Sequence, residues 1–251
     1  MVAGSSGAVP RPGSASSCYF IESAKTRIIL DCGAGAISSL RRFADPAQLD
    51  AVLISHMHAD HVLDLVALRY LCALPPTPRK SALAVFLPPG GIKQMHKLAV
   101  AVPSRDGARF FERSLRLREY DPDGLLEVGD VEISFAKTTH YVDAFAIRLA
   151  RGESTIVFSA DTAPDDCVAQ LASDAALFIC ECSLGPAGSD APRRGHSNAL
   201  EAGRMAAAAS AKHLLLTHYG AHEDREQLRA AAASVYGGRV TVAEDGVEFR
   251  V

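Results

Sequence analysis

The most informative stretch of the sequence is Ser55-His56-Met57-His58-Ala59-Asp60-His61. It follows the apolar run Ala51–Ile54, which predicts a β-strand, and it leads into a helical pattern. Four of its side chains can bind a metal ion, namely those of His56, His58, Asp60 and His61. A loop at the end of a strand can turn the first two toward one point and the last two toward an adjacent point. Because neutral imidazole and carboxylate groups bind Zn²⁺ and similar divalent ions, this heptad predicts a metal site.

Further candidate ligands stand just after three predicted strands, and they are His140, Asp161 and His218. A single histidine or aspartate at a strand end is usually solvated or caps a helix. Here the same pattern recurs after three strands, in addition to the heptad. This recurrence indicates that the strand ends collect these side chains at one site.

Composition limits the classes of protein that fit. The 251 residues are 48% hydrophobic and include 26 basic and 29 acidic side chains, for a net charge of −3. This charge argues against nucleic-acid binding by bulk electrostatics, and the apolar content argues against disorder. Residues 1–17 lack the apolar stretch of a signal peptide, and no run approaches the ~20 apolar residues of a membrane span. We therefore expect a cytoplasmic protein with no membrane partner and with its six cysteines reduced.

Hairpins and helical patterns alternate along the chain, which favours two packed sheets over one doubly wound sheet. The predicted strands are Cys18–Glu22, Arg27–Leu30, Ala51–Ile54, Leu83–Leu87, Val131–Ala136, Phe145–Leu149, Thr155–Phe158, Ala176–Glu181, His213–Thr217, Val240–Val242 and Val247–Val251. The predicted helices are Ile37–Phe43, His61–Cys72, Gly91–Ala101, Asp165–Leu171, Ala199–Ala209 and Glu223–Ala232. Asp60 stands where it would cap the second helix, and Ser197 or Asn198 where either would cap the fifth.

The order H-x-H-x-D-H, His140, Asp161, His218 resembles the metallo-β-lactamase superfamily. The segment Leu30-Asp31-Cys32-Gly33-Ala34-Gly35 resembles the glycine-rich turn of that family. The resemblance implies an α/β fold, an αββα sandwich of two mixed β-sheets with helices on the outer faces. It also implies a single metallo-hydrolase domain over residues 1–251. Two divalent metal ions are expected, with Zn²⁺ as the expected metal and Mn²⁺ or iron as alternatives.

The resemblance further implies which residues bind each ion. One ion would be bound by His56, His58 and His140. The second would be bound by Asp60, His61 and His218, and Asp161 would bridge the two.

One departure from the family pattern lies beside the bridging residue. The motif usually reads Ser-Gly-Asp-Thr, and here Ala160 replaces the glycine. If that position requires a positive φ, alanine costs free energy that glycine would not. We expect local adjustment there rather than loss of the metal.

Two more segments narrow the resemblance to the phosphodiesterase branch, which contains ribonuclease Z and small cyclic-nucleotide phosphodiesterases. Glu181 ends an apolar strand, and Gly195-His196-Ser197 leads into an alanine-rich helix. In that branch a histidine at the position of His196 protonates the departing oxygen, and a glutamate orients it. Because strand residues alternate, Glu181 points away from the side of Cys180 and Cys182 and can face a site while the thiols face the core.

The favoured hypothesis is hydrolysis of a small or cyclic, cyclic nucleotide-like phosphodiester through a metal-bridging hydroxide. Asp60 would orient that hydroxide, and His196 and Glu181 would serve the leaving group. The partner is then a small-molecule phosphodiester, and the sequence also allows a homodimer.

Three other functions remain open. A transfer-RNA 3′-processing nuclease of the ribonuclease Z type would use the same ligands. However, several forms of ribonuclease Z insert a long tRNA-gripping arm between the residues that His140 and Asp161 resemble. Here only residues 141–160 separate the two, which leaves room for a hairpin but not for such an arm. The net charge of −3 also disfavours RNA as the partner. A lactone or thioester hydrolase would not require the Glu181–His196 pair, and a non-enzymatic metal-binding protein would bind metal without turnover.

Overall fold

Two mixed β-sheets pack face to face in the computed structural model, which describes residues 1–74 and 78–251. The first sheet contains, in spatial order, β1 (Val2–Gly4), β2 (Cys18–Glu22), β3 (Arg27–Leu30), β4 (Ala51–Leu53), β5 (Leu83–Leu87) and β6 (Leu115–Glu119). Strands β1 to β3 are antiparallel neighbours, and β3 to β6 run parallel.

The second sheet runs in the order β13 to β7. Its strands are β7 (Leu126–Val128), β8 (Val131–Lys137), β9 (Phe145–Arg151), β10 (Ser154–Phe158), β11 (Leu177–Glu181), β12 (His213–Thr217) and β13 (Arg239–Val242). Strands β7 to β10 are antiparallel, and β10 to β13 are parallel. The hairpin of β9 and β10 fills the interval between His140 and Asp161.

Helices cover the outer face of each sheet. They are α1 (Ala36–Leu40), α2 (Ala59–Val62), α3 (Leu65–Ala73), α4 (Gly91–Ala101), α5 (Asp166–Leu171), α6 (Ala199–Ala208) and α7 (Arg225–Ala233), with short 3₁₀ turns at Pro46–Gln48 and Gly107–Arg109. Helices α1, α3 and α4 pack on the first sheet, and α5, α6 and α7 pack on the second.

Strand β3 shows how the layers form. Ile28 and Leu30 belong to the apolar core between the sheets, whereas Ile29 belongs to the core under the helices. A strand that is buried on both faces must be apolar at every position, as this one is. The predicted αββα sandwich is confirmed.

The predicted helix His61–Cys72 is wrong as a single element, because the chain breaks between α2 and α3. The amide of Asp64 donates to the carbonyl oxygen of Cys32 at 3.1 Å, and its carboxylate accepts from the amide of Ile37 at 2.8 Å. These bonds tie Asp64 to the loop before α1 and interrupt the helix at that point.

The predicted cap at Asp60 is also wrong. Helix α2 begins after His58, which has extended backbone angles and makes no side-chain cap. Asp60 lies in the first turn, and its carboxylate turns toward His218 instead. The cap at Asn198 is confirmed, since its side chain accepts from the amide of Glu201 and that glutamate bonds back to the amide of Asn198.

The remaining differences lie at the sheet edges. The sequence patterns do not predict β1, β6 or β7, which are short or rich in charged residues. The predicted strand Val247–Val251 is wrong, because Gly246 and Val247 make only isolated backbone bonds to Val2 and no ladder follows. All six cysteines are free thiols. Within residues 1–74 and 78–251, no helix has the length and hydropathy that a bilayer crossing requires.

Candidate metal centre

The candidate ligands lie at one edge of the sandwich, where β4, β8, β10 and β12 all end. The heptad after β4 supplies His56, His58, Asp60 and His61, and the other three strands are followed by His140, Asp161 and His218. The structure brings all seven of these residues together. Most are buried, and His56 and His61 are fully excluded from solvent.

One half of the cluster, which we call the imidazole half, is formed by His56, His58 and His140. The Nδ1 atom of His58 lies 3.1 Å from Nε2 of His56 and 3.1 Å from Nε2 of His140. Asp161 completes the group, because its Oδ2 atom lies 3.7 Å from Nε2 of His56 and 3.9 Å from Nε2 of His140.

The other half, which we call the carboxylate half, is formed by Asp60, His61 and His218. Oδ2 of Asp60 lies 3.1 Å from Nε2 of His218 and 3.5 Å from Nε2 of His61. Oδ1 of Asp161 lies 3.5 Å from each of the same two nitrogens. The two oxygens of Asp161 therefore face different halves.

These distances fit a pair of metal ions. Ligand atoms bound to one Zn²⁺ at about 2.0–2.2 Å lie roughly 3 to 3.5 Å from one another. In the part of the chain that the structure describes, Nε2 of His61 is buried without a hydrogen-bond partner. A buried polar atom without a partner is rare, and a metal ion between His61, Asp60 and Asp161 would satisfy it. Histidine and carboxylate ligands suit Zn²⁺, and they also suit Mn²⁺ or iron.

The outward nitrogens of four of the five candidate ligand imidazoles are held by the protein. Their partners are the hydroxyl of Ser55 for His56 at 3.1 Å, the carboxylate of Asp31 for His61 at 2.5 Å, the carbonyl oxygen of Gly195 for His140 at 2.6 Å, and the hydroxyl of Ser183 for His218 at 2.7 Å. Such partners fix the ring orientation and point the other nitrogen at the metal.

Sequence reasoning missed the contributions of Asp31 and Ser183. Asp31 directly follows β3, has φ 58°, and also accepts hydrogen bonds from the amide and hydroxyl of Ser55. An acid between a strand and a glycine-rich turn is a signal that could have identified it. Ser183 has no comparable signal in the sequence, because its role depends on β11 and β12 lying side by side.

A second pair of polar side chains lies beside the cluster. Nδ1 of His196 is 2.9 Å from Oε1 of the buried Glu181 and 4.0 Å from Oδ2 of Asp161. Glu181 also accepts from the amide of Thr162 at 2.9 Å and from the hydroxyl of Ser183 at 2.7 Å. Its neighbours Cys180 and Cys182 lie in the core under the helices, on the opposite face of β11.

The pKa of His196 reflects this environment. Burial alone would lower it, but the hydrogen bond and charge of Glu181 raise the pKa of His196 to about 9. The contact with Glu181 therefore favours the protonated imidazole, with Nδ1 directed at Glu181. Such a group can donate a proton to a leaving oxygen.

Residues 26–219 match the protein family described as the beta-lactamase superfamily domain. That range includes every candidate metal ligand and the Glu181–His196 pair. The chain belongs to the β-lactamase superfamily. It is a metallo-hydrolase of the β-lactamase fold, with relatives that include ribonuclease Z.

The similarity to individual members extends over whole chains. The probable metallo-hydrolase YhfI of Bacillus subtilis is 34% identical over 98% of this chain and 96% of its own length. Its crystal structure has a TM-score of 0.87 and covers 98% of this chain and 97% of that one. Ribonuclease Z of Haloferax volcanii is 24% identical over 99% of this chain and 93% of its own. A diphosphatase of the PhnP family shares the fold, with a TM-score of 0.75 at 15% identity over 100% of this chain and 97% of that one.

Proposed function

We propose that this chain hydrolyses a small or cyclic phosphodiester with two divalent metal ions. The observation that carries the proposal is the Glu181–His196 pair, with its 2.9 Å contact, at the edge of a cluster whose residues form adjacent groups able to hold a metal ion. A metal cluster alone fits any hydrolase of the family. A protonated imidazole beside it is what an alkoxide leaving group requires.

The ligands for the two ions would be those of the imidazole half and the carboxylate half, with Asp161 shared. Divalent ions bound there would supply Lewis acidity to phosphoryl oxygens and would activate water near neutral pH. Asp60 lines the cavity beside the cluster and can accept a hydrogen bond from the attacking water. Glu181 holds His196 through Nδ1, which leaves Nε2 to donate a proton to the departing oxygen.

A small substrate is supported by the connection between His140 and Asp161, which is the tight hairpin of β9 and β10. Several forms of ribonuclease Z, which this chain resembles, carry a tRNA-binding arm in this interval. The hairpin leaves no room for such an arm. Two similar proteins also support phosphate chemistry. One is named a ribonuclease Z, and the other, which shares the fold, is named a diphosphatase.

The test is His196→Ala in metal-loaded protein, assayed with 3′,5′-cyclic and 2′,3′-cyclic nucleotides. We expect the metal content to remain near two per chain and the turnover to fall about 10²- to 10⁴-fold, the usual contribution of a general acid. The matched control is His96→Ala, because His96 lies on the exposed surface of α4 and should not affect turnover.

Other outcomes identify the alternatives. Unchanged turnover of the His196→Ala protein would overturn the proposed acid. Hydrolysis of acyl lactones without any phosphodiester cleavage would identify a lactone or thioester hydrolase. Bound metal with no turnover of any substrate would identify a non-enzymatic metal-binding protein.

Ribonuclease Z activity is the second candidate function, because the ribonuclease Z of Haloferax volcanii aligns with 99% of this chain. Incubation of the metal-loaded protein with a precursor tRNA distinguishes it. Cleavage at the 3′ end faster than cyclic-nucleotide hydrolysis would replace the small-substrate proposal.

A further inference from the structure

The metal centre opens into a cavity of about 630 Å³ that has one apolar side. Two loops form this side, residues 7–9 between β1 and β2 and the pair Gly220 and Ala221 after β12. We call them the apolar wall. Val9 is 74% exposed, and Ala8 and Ala221 are exposed beside it.

The apolar wall is held in place from behind. The guanidinium of Arg11 donates to the carbonyl oxygens of Ser5 at 3.1 Å and Tyr219 at 3.0 Å, and it stacks 3.8 Å from the centre of the Tyr219 ring. The amide of His218, a candidate metal ligand, donates to the carbonyl oxygen of Ser5 at 3.0 Å, which anchors the chain just before the first loop. A surface fixed in this way loses little conformational entropy when a ligand binds.

The chemistry of the lining restricts the ligand. Over the described ranges, 1–74 and 78–251, the cavity lining contains neither lysine nor arginine. A second phosphate group would need such a cation to replace its water. Outside the metal centre and its acid, the one titratable group of the lining is His222, which lies at the mouth beside Glu223 at 3.0 Å.

We propose that the apolar wall binds an uncharged ring substituent, such as a nucleobase, on a substrate with a single phosphodiester. This inference rests on the proposed phosphodiesterase function. Val9 contacts the ring and sets the preference for ring-bearing substrates over bare phosphodiesters. Polyphosphates and long RNA strands bind poorly, because the wall offers them no counter-charge.

The experiment compares adenosine 3′,5′-cyclic phosphate with its abasic analogue, which has the same phosphodiester and the same leaving group. Wild-type protein should prefer the nucleotide in kcat/KM, and Val9→Asp should reduce that preference about tenfold, the effect of losing one apolar contact in a pocket. The matched control is Val100→Asp, because Val100 is 69% exposed on α4, away from the cavity, and should leave the preference unchanged.

The outcomes separate the two proposals. Equal use of both compounds by the wild type, or an unchanged preference in Val9→Asp, would overturn the role of the apolar wall alone. Failure of the metal-loaded wild type to hydrolyse these compounds, 2′,3′-cyclic nucleotides and bis-p-nitrophenyl phosphate would overturn the proposed function itself.

The carboxylate of Asp190, in the loop that carries His196, accepts hydrogen bonds from four donors. Oδ2 accepts from the hydroxyl of Tyr141 at 2.6 Å and from the amides of Gly195 at 2.7 Å and His196 at 3.0 Å. Oδ1 accepts from Nε of Arg194 at 2.6 Å. Burial raises the pKa of Asp190, but these hydrogen bonds outweigh it and lower the pKa to about 2. The carboxylate is therefore ionised at neutral pH.

The same peptide segment reaches the metal centre. The carbonyl oxygen of Gly195 accepts from Nδ1 of His140, which is in the imidazole half. The ring of Tyr141 packs against Gly195 so closely that a Cβ there would lie 2.4 Å from its carbon atoms. Asp190 thus fixes one peptide that orients both a metal ligand and the proposed acid.

We infer that Asp190 is a positioning residue for His196. Loss of Asp190 should reduce kcat most for substrates with a poor, weakly acidic leaving group. A general acid contributes least when the leaving group is already acidic. The probes are bis-p-nitrophenyl phosphate, which releases a phenolate, and a cyclic nucleotide, which releases an alkoxide.

Asp190→Asn should reduce kcat for the cyclic nucleotide at least about tenfold more than kcat for bis-p-nitrophenyl phosphate. Asp130→Asn is the matched control, because Asp130 also accepts several hydrogen bonds, from Ser23, Thr26 and Arg151, but lies in the turn between β7 and β8, away from the centre. Tyr141→Phe removes one donor and should give a smaller change in the same direction, and it tests the inference if Asp190→Asn does not fold.

An equal loss with both substrates would show that Asp190 serves only the fold. A leaving-group difference in His196→Ala that is absent in Asp190→Asn and Tyr141→Phe would also overturn the inference while leaving the acid in place. No leaving-group difference in His196→Ala would instead overturn the proposed acid.

Discussion

The two halves of the metal centre differ in charge, although each contains histidine. In the imidazole half, burial lowers the pKa of His56, His58 and His140, so these rings are neutral and ready to bind metal. In the carboxylate half, burial acts in the same direction but is outweighed by carboxylates. The charges of Asp161 and Asp31 raise the pKa of His61. The charge of Asp161 and the hydrogen bond of Asp60 raise the pKa of His218.

The difference indicates that the cluster offers two kinds of candidate metal position. A metal ion entering the imidazole half displaces few protons at neutral pH. A metal ion entering the carboxylate half must displace protons from His61 and His218, but it then meets the negative charge of Asp60. The first position is therefore set mainly by geometry, and the second is coupled to pH.

The largest effect should come from removing the residue that the halves share. Asp161→Ala removes one ligand from each half, so we expect metal content to fall below one per chain and turnover to fall more than about 100-fold. Elemental analysis after gel filtration and a cyclic-nucleotide assay measure both. The matched control, Asp166→Ala on the exposed first turn of α5, should retain two metals. Full activity in Asp161→Ala would contradict the shared site.

A smaller and one-sided effect should follow from Asp31→Asn. Asp31 contacts Nδ1 of His61 at 2.5 Å, so its loss should lower metal affinity of the carboxylate half about 10- to 100-fold. The imidazole half should change less, because Asp31 reaches it only through Ser55. Calorimetric titration of metal into the stripped protein resolves the two affinities. An equal loss at both positions would remove the distinction between the halves.

The pH dependence of metal binding should differ between the halves. Below their raised pKa values, His61 and His218 are protonated and compete with the metal ion, so affinity of the carboxylate half should fall as pH falls. The expected slope is about tenfold per pH unit for each proton displaced. The metal affinity of the imidazole half should change less over the same pH range, since burial lowers the pKa of its three histidines. Two parallel pH profiles would contradict this assignment of charge.

The smallest effect should come from the residue beside the shared ligand. Ala160 is buried with φ 54°, as the missing glycine would require. The left-handed backbone destabilises the folded state with alanine by about 1–2 kcal/mol. Two effects favour alanine over glycine: the buried methyl group stabilises the folded state by about 0.8 kcal/mol, and glycine would raise the entropy of the unfolded chain by about 0.5–1 kcal/mol. We therefore expect Ala160→Gly to change the free energy of unfolding by less than about 1 kcal/mol. Ala160→Val should be clearly destabilising, because β-branched residues avoid positive φ. Urea unfolding measures both.

The sequence by itself predicted most strands and helices, because their apolar periodicity is local. It also gave the seven candidate ligands, since four stand in one heptad and three follow strands whose ends meet. It did not predict the break at Asp64, because that break depends on a bond to Cys32 from another loop. The edge strands β6 and β7 were missed for a related reason, since an edge strand needs little apolar surface on its solvent side.

The tertiary structure decided how these residues act together. Asp31, Ser183 and Asp190 act through contacts that only the folded chain makes. Asp31 lies 2.5 Å from Nδ1 of His61, and Ser183 lies 2.7 Å from Nδ1 of His218. Asp190 accepts from the amide of Gly195 at 2.7 Å. The charge difference between the two halves likewise depends on which carboxylate is buried against which imidazole. Residue identity fixes what a side chain can bind, whereas burial and distance fix its protonation and its partner, and only the folded chain determines both.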